Sequence, residues 1–425
     1  MAQVENFKML GGRYWESTAM SNLLNHYDLK NPFSGDPISE ALCMGISGGI
    51  GAGYSFCASI PRNAKSKKQN TLDRSSPKAF NESLYCCGSG SALIGRTSSY
   101  STNGKSYRDF FDRLGIKTDI QESTGIKGAS KKLIESLEAG KPTVVWSCPV
   151  PFSSLGFVGT CGMYTMIVIG IDQENQTATI ADRAKTSFQM SLEDLEFCRG
   201  RVCSLKNRSL TISPPKSITK ATLKSAVAEG IKQTVGNILK PKMKTFGPPG
   251  MVGLTKVMAS TKNQKGWPKV YPGGTIYIAL RDMFDSIETA ATGGGFFRLL
   301  YADFLEEAAE ILNKKNLLPV ADEYRDLGDA WTKYGEDLLP NRVKPFKQTK
   351  SLLKKLDKSF VEKGAKANKS AEKIYDDLAK IQTDLQKKFV WSNDETVEFL
   401  EASAQSLTPL IDKEIEVAAI LSKAI

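Results

Sequence analysis

The feature that most limits how this chain can fold is a change of period at Pro214-Pro215. Before it, apolar residues come in short alternating or continuous runs. Thr143–Ser147, Tyr164–Ile171 and Thr177–Ala181 predict strands, the last two joined as a hairpin through the turn Asp172–Asn175. Ser17–His26, Tyr107–Leu114 and Ser130–Ala139 predict helices, the last ended by Gly140-Lys141-Pro142. After the diproline almost every segment repeats at three and four residues. Lys220–Leu239, Tyr277–Ala290, Phe296–Leu312 and Val320–Tyr334 predict helices, and the last 80 or so residues continue the pattern. The expectation is an α+β chain: a mixed domain over 1–212, an all-α domain over 213–340, and a basic helical extension over 341–425 packing on the helical domain.

With 425 residues the chain can bury more than one core. Its single histidine, His26, excludes sites needing two His ligands, and its eight cysteines contain no CxxC pair. No cofactor or metal is expected. The strongest apolar run, Met166–Ile171, is too short to span a bilayer, and the first residues lack a signal peptide's apolar stretch. The expected setting is cytoplasmic, with thiols mostly reduced and serving as small packing groups.

Charge is concentrated. The net charge is +11, and residues 341–391 alone hold 14 Lys/Arg against 6 Asp/Glu. Leu352, Leu353, Leu356 and Phe360, then Ile374, Leu378, Ile381 and Leu385, mark amphipathic helices with lysines between the apolar positions. Two readings stand: a solvated basic face, or a docking surface for an acidic partner. Nucleic acid is disfavoured because no Arg-rich or aromatic reading pattern accompanies the lysines.

Two glycine clusters invite attention. In Gly45–Tyr54, Gly48 and Gly49 permit close backbone approach; the stretch lacks the Gly-Lys-Ser/Thr ending of a phosphate loop. Gly293 and Gly294, before an apolar helix, would either cradle an anion or let two domains pack closely. Arg298 follows as a ligand contact or as an ion-pair partner of Glu288.

Gly11-Gly12-Arg13-Tyr14-Trp15-Glu16-Ser17-Thr18-Ala19-Met20, then Ser39–Leu42 and the Gly45–Tyr54 stretch, followed much later by Ile287–Leu305 with its Thr-Gly-Gly-Gly-x-x-Arg-x-x-Tyr core, resembles the butirosin biosynthesis protein H family. The resemblance covers roughly 8–340 and includes Asp182-Arg183 and Asn207-Arg208. It implies a papain-like N-terminal domain, a helical C-terminal domain, and transfer of an aminoacyl group from an acyl carrier protein thioester to an amine. In such chemistry a thiolate attacks the thioester, a His activates it and an Asp orients the His.

The sequence departs from that pattern where the chemistry lies. Tyr14-Trp15 stand where the family has His-Cys, and no His occurs near Tyr164-Thr165; of the three catalytic positions only Asp182 keeps its residue. The candidates for residual chemistry are Glu16 as a base or amine-orienting group, Tyr164 as a hydrogen-bond donor, and Asp182 as its partner. Cys161 is a candidate relocated nucleophile, with Cys148, Cys43, Ser17 and Ser47 behind it. The resemblance implies a catalytically degenerate member that binds an acyl carrier protein, an active paralogue, or a small amine or acyl ligand. An amide-forming enzyme without the usual nucleophile and an oligomeric assembly protein are the alternatives.

Overall fold

In the computed structural model the described residues are 2–58, 89–93, 95–96, 104–147, 164–200, 206–243, 245–290 and 292–425. The chain is α+β, with an antiparallel sheet in its N-terminal half and a helical C-terminal region.

The N-terminal half runs β1 (Ala2–Gln3), α1 (Trp15–His26), α2 (Glu40–Ile46), β2 (Tyr54–Ala58), β3 (Ser89–Leu93), α3 (Lys105–Arg113), β4 (Lys117–Gln121), α4 (Ile126–Glu138), β5 (Thr143–Ser147), β6 (Tyr164–Asp172), β7 (Thr177–Ala181), β8 (Phe188–Ser191), α5 (Leu192–Gly200) and β9 (Ser209–Ser213). The main sheet has the order β4-β9-β5-β6-β7-β8, with β1 also paired to β6. The continuous apolar runs explain its centre: all five residues of β5 and all of β6 but Asp172 are buried, as expected for strands covered on both faces. The predicted hairpin is present, with Asp172 opposite Thr177 and a register shift between Val168 and Gly170. β2 and β3 form a separate two-stranded ribbon.

Beyond the diproline come α6 (Lys220–Leu239), α7 (Pro248–Met258), α8 (Trp267–Val270), α9 (Ile276–Glu288), α10 (Arg298–Leu312), α11 (Leu318–Leu338), α12 (Lys344–Lys363), α13 (Asn368–Lys387) and α14 (Asn393–Ala424). The last helix is long and packs on α6, α7 and α11. It starts with a capping box in which Ser392 and Glu395 satisfy each other's backbone N–H.

The two halves meet over small residues. A Cβ on Gly230 of α6 would lie 2.4 Å from the Gly45 carbonyl oxygen of α2, and one on Gly45 would lie 2.3 Å from the Phe304 ring of α10. The Gly48-Gly49 stretch is used in the same way: a Cβ on Gly49 would strike Thr234 Oγ1 at 2.1 Å. These glycines are filled against by helices α6 and α10 of the second half.

Five successive residues, 293–297, hold positive φ: Gly293 (73°), Gly294 (85°), Gly295 (57°), Phe296 (55°) and Phe297 (70°). The periodicity placed a helix start at Phe296, whereas the right-handed helix begins at Arg298. Left-handed backbone at the two phenylalanines costs about 1–2 kcal/mol each. Burial of both rings holds it in place.

Candidate functional site

The segment Arg13–Glu16 enters α1 through Tyr14, whose own side chain does not cap the helix. The cap comes from Glu40, the first residue of α2. Its carboxylate accepts the N–H of Arg13 at 2.9 Å and of Tyr14 at 2.7 Å, and the hydroxyls of Ser17 at 3.1 Å and Thr18 at 3.2 Å. An anion here complements the helix dipole and satisfies otherwise orphaned donors. It fixes the direction in which Tyr14 and Trp15 leave the turn.

Trp15, half-buried, lies with its ring centroid 5.1 Å from that of Tyr164 at the start of β6. The Tyr164 hydroxyl donates to the carboxylate of Asp182, the residue after β7. Three of the positions singled out in the sequence therefore converge. Burial raises the Tyr164 hydroxyl well above its usual range, and Asp182 pushes it further. Burial also raises Asp182 to about 6, against the pull of Arg183 and of the Tyr164 hydroxyl. The phenol stays protonated, and the indole carries no thiol, hydroxyl or amine, so neither side chain offers the heteroatom nucleophile used in covalent acyl transfer.

Glu16 is buried on the other side of Tyr14. It accepts hydrogen bonds from Tyr14 (3.3 Å) and Ser106 (3.2 Å), and Arg96 approaches to 3.8 Å. Burial raises its pKa, opposed first by Arg96. Arg96 also donates to Ser47 Oγ and the Met44 carbonyl oxygen, with its guanidinium 5.0 Å from the Tyr14 ring centroid. Glu16 is thus held in a buried polar cluster distinct from the Tyr164–Asp182 pair.

Arg183 ties this region to the basic helices. It donates to the Arg13 carbonyl oxygen at 3.1 Å and to Asp357 of α12 at 3.0 Å, and its guanidinium lies 4.8 Å from the Phe360 ring centroid. Burial works against its charge, but Asp357, Tyr164 and Asp182 outweigh burial and raise its pKa. The extension 341–425 therefore touches the first half as well as the helical domain.

The glycine-rich turn offers no free amide cradle at its centre. The N–H of Gly294 donates to Thr292 Oγ1 at 3.1 Å, and that of Gly295 to Glu288 at 3.2 Å. A Cβ on Gly293 would lie 2.6 Å from Arg13 Cδ, so this turn lets the second half close on the first. Phe297 at its end meets Tyr14 edge-on, with centroids 5.0 Å apart. The proposed Glu288–Arg298 pair is corrected: Arg298 is fully buried and pairs with Glu414 of α14 at 2.6 Å. Its remaining donors reach the carbonyl oxygens of Gly51, Gly95 and Phe296. Glu288 instead accepts from Gly295 N–H and Thr332.

Of the other candidates, Cys43 is free and buried, and burial raises its thiol well above the usual range. Ser17 donates to the Tyr14 carbonyl oxygen and to Glu40, and Ser47 to the Met44 carbonyl oxygen. Cys148 and Cys161 lie outside the described residues. His26 stacks on Phe7 with ring centroids 5.2 Å apart, and burial lowers its pKa. Among the described residues no group of three or more His, Cys, Asp or Glu could hold a metal, and no helix is long and apolar enough to cross a membrane.

Sequence reasoning missed Glu40, Arg96 and Asp357. Glu40 carried one usable signal, an acidic residue just after a Ser N-cap. Arg96 and Asp357 act across long sequence separations and carried none.

A family model described as a domain of unknown function (DUF4872) matches residues 190–381. The match spans α5 to most of α13 and leaves out Tyr14, Trp15, Glu16, Tyr164 and Asp182. No curated protein matches the chain.

Proposed function

We propose that this chain is a catalytically degenerate relative of papain-like, butirosin protein H-type acyltransferases, acting as a binding or partner subunit in acyl-carrier-linked metabolism. One observation carries the reading. Trp15 at a helix start, Tyr164 at a strand start and Asp182 at the end of the next strand adjoin one another. That is the layout a nucleophile, a base and an orienting carboxylate would take. Here the first two places hold an indole and a protonated phenol, and the carboxylate is tied to the phenol. The retained contacts support a site kept for shape and polarity rather than for covalent catalysis. An acyl carrier protein or an active paralogue is the expected partner, and an amine or acyl group the expected small ligand.

The test is turnover. The purified protein, given a panel of aminoacyl carrier thioesters and amines, is expected to form no amide above the uncatalysed rate. Sustained amide formation by the protein alone would refute the reading.

A second reading is favoured by Asp182, whose pKa near 6 suits a base. An amine positioned beside an already activated thioester would attack directly, with Asp182 or Glu16 accepting its proton. Loss of amide formation in both Asp182→Asn and Glu16→Gln would support it. Full activity in both would refute it. A role in assembly is the third alternative, and monomeric behaviour over a broad concentration range would count against it.

A further inference from the structure

We infer that the outer face of α12 is a docking surface for an acidic helix of a partner protein. The inner face of α12 is committed: Phe346, Leu353, Leu356 and Phe360 are buried, and Asp357 pairs with Arg183. The outer face carries Lys344, Lys347, Lys355 and Lys358, all exposed. At 100° per residue these four fall within an arc of about 80°, along about 21 Å of helix axis.

Their arrangement is locally unfavourable in two ways. Like charges three and four positions apart repel on a helix. Among the described residues Lys344, Lys347 and Lys355 form no ion pair, and Lys358 has only Glu362 at 3.8 Å. Lys354 and Lys350, at the edge nearer α11, are by contrast paired with Glu336. The first turn of α12 holds Lys344 and no acidic residue, so a cation sits at the end of the helix dipole that favours anions. A face on which three of four exposed cations form no ion pair and the fourth has only a 3.8 Å contact fits an external partner of opposite charge better than a stability role.

The chemistry of the surroundings selects the partner. No arginine lies within α12, and its phenylalanines are on the buried side, so neither bidentate base contacts nor stacking is offered to a nucleic acid. None of the exposed large hydrophobic residues belongs to α12, so no apolar wedge is available for a bilayer. Two pairs of ammonium groups, each pair three residues apart and the pairs eleven residues apart on one face, match carboxylates spread along one face of another helix. The inner side of α12 holds Arg183, which adjoins Asp182, so the docking face and the candidate site are opposite sides of one helix. The inference names the surface for the proposed partner subunit, but it does not depend on whether that site turns over a substrate.

The test uses the full chain and two synthetic helical peptides of identical composition. One carries its glutamates along one face, and the other distributes them around the helix. A short DNA duplex and anionic phospholipid vesicles serve as comparators. The one-faced peptide is expected to bind at least about tenfold tighter than the distributed one, with affinity falling as salt rises. The variant K344E/K347E/K355E/K358E is expected to lose that binding by about tenfold or more and to bind a lysine-faced peptide instead. The set Lys→Gln at the same positions, which adds no negative charge, is expected to lose the binding without the swap. Equal binding of the two peptides, unchanged binding by the variants, or tighter binding of the duplex or vesicles would overturn the inference. Because no acyl transfer is measured, these outcomes are independent of the turnover test.

Discussion

The Tyr164 hydroxyl donates to the Asp182 carboxylate, linking the first residue of one central strand to the residue that immediately follows its neighbour. Trp15 covers the tyrosine from the start of α1. The phenol therefore has its acceptor inside the fold, and the carboxylate has its donor.

Removing the donor gives a pH-dependent result. The Tyr164 hydroxyl lowers the pKa of Asp182, so Tyr164→Phe should raise it further. The ionised carboxylate then loses its hydrogen bond while the protonated one loses less. Tyr164→Phe should therefore destabilise the protein more at pH 8 than at pH 5, by about 1–3 kcal/mol at the higher pH. Chemical denaturation at the two pH values checks this.

Two buried carboxyls set the sign of the wider pH profile. Asp182 is raised to about 6 and Asp285, buried and accepting from Thr289, to about 7. Both folded values lie above the ordinary aspartate range, so the folded state holds these protons more tightly than the unfolded state. Each group's contribution therefore falls as pH rises from about 4 to 6 for Asp182 and to 7 for Asp285. Asp285→Asn should stabilise the protein at pH 8 by about 1 kcal/mol or more and flatten this part of the profile. Unfolding curves from pH 4 to 8 would show it; an unchanged slope would count against the assignment.

The Arg298–Glu414 pair joins the glycine turn to the last helix, with Trp331 Nε1 donating to the same carboxylate oxygen at 2.7 Å. Glu414→Ala should leave a buried guanidinium without its counter-charge and cost about 3–5 kcal/mol. Arg298→Met combined with Glu414→Leu should recover part of that loss, since no charge is then left alone. A double-mutant cycle in denaturant measures the coupling.

Two glycines of α6 should behave oppositely. Gly230→Ala places a methyl group against the Gly45 carbonyl oxygen and should destabilise by about 1–3 kcal/mol. Gly236→Ala meets nothing within 4 Å and should stabilise by up to about 1 kcal/mol. Equal effects would mean that α6 does not approach α2 as described.

What the sequence could reveal follows the range of its signals. Periodicity located α6 and α11 well, because a helix face repeats every few residues. The continuous apolar runs located β5, β6 and β7 for the same local reason. Trp15, Tyr164 and Asp182 could be grouped only through the resemblance to the butirosin biosynthesis protein H family, since no periodicity or local pattern links them. Arg298 could not be assigned its partner: Glu288 was near in sequence, whereas Glu414 lies 116 positions away. Asp357 reaches Arg183 across 174 positions. Such pairs depend on how helices stack, and no local pattern records that. Gly293–Gly295 signalled an unusual backbone, but nothing local announced that Phe296 and Phe297 would continue it.

Intact-mass spectrometry tests the central claim most directly. The full-length protein is incubated with aminoacyl carrier thioesters and quenched at intervals. The account predicts an unmodified protein mass at every time, with carrier binding seen only in the native complex. An acyl adduct that forms and then decays on addition of an amine would contradict it, and peptide mapping would show whether Cys148, Cys161 or another residue carries the bond.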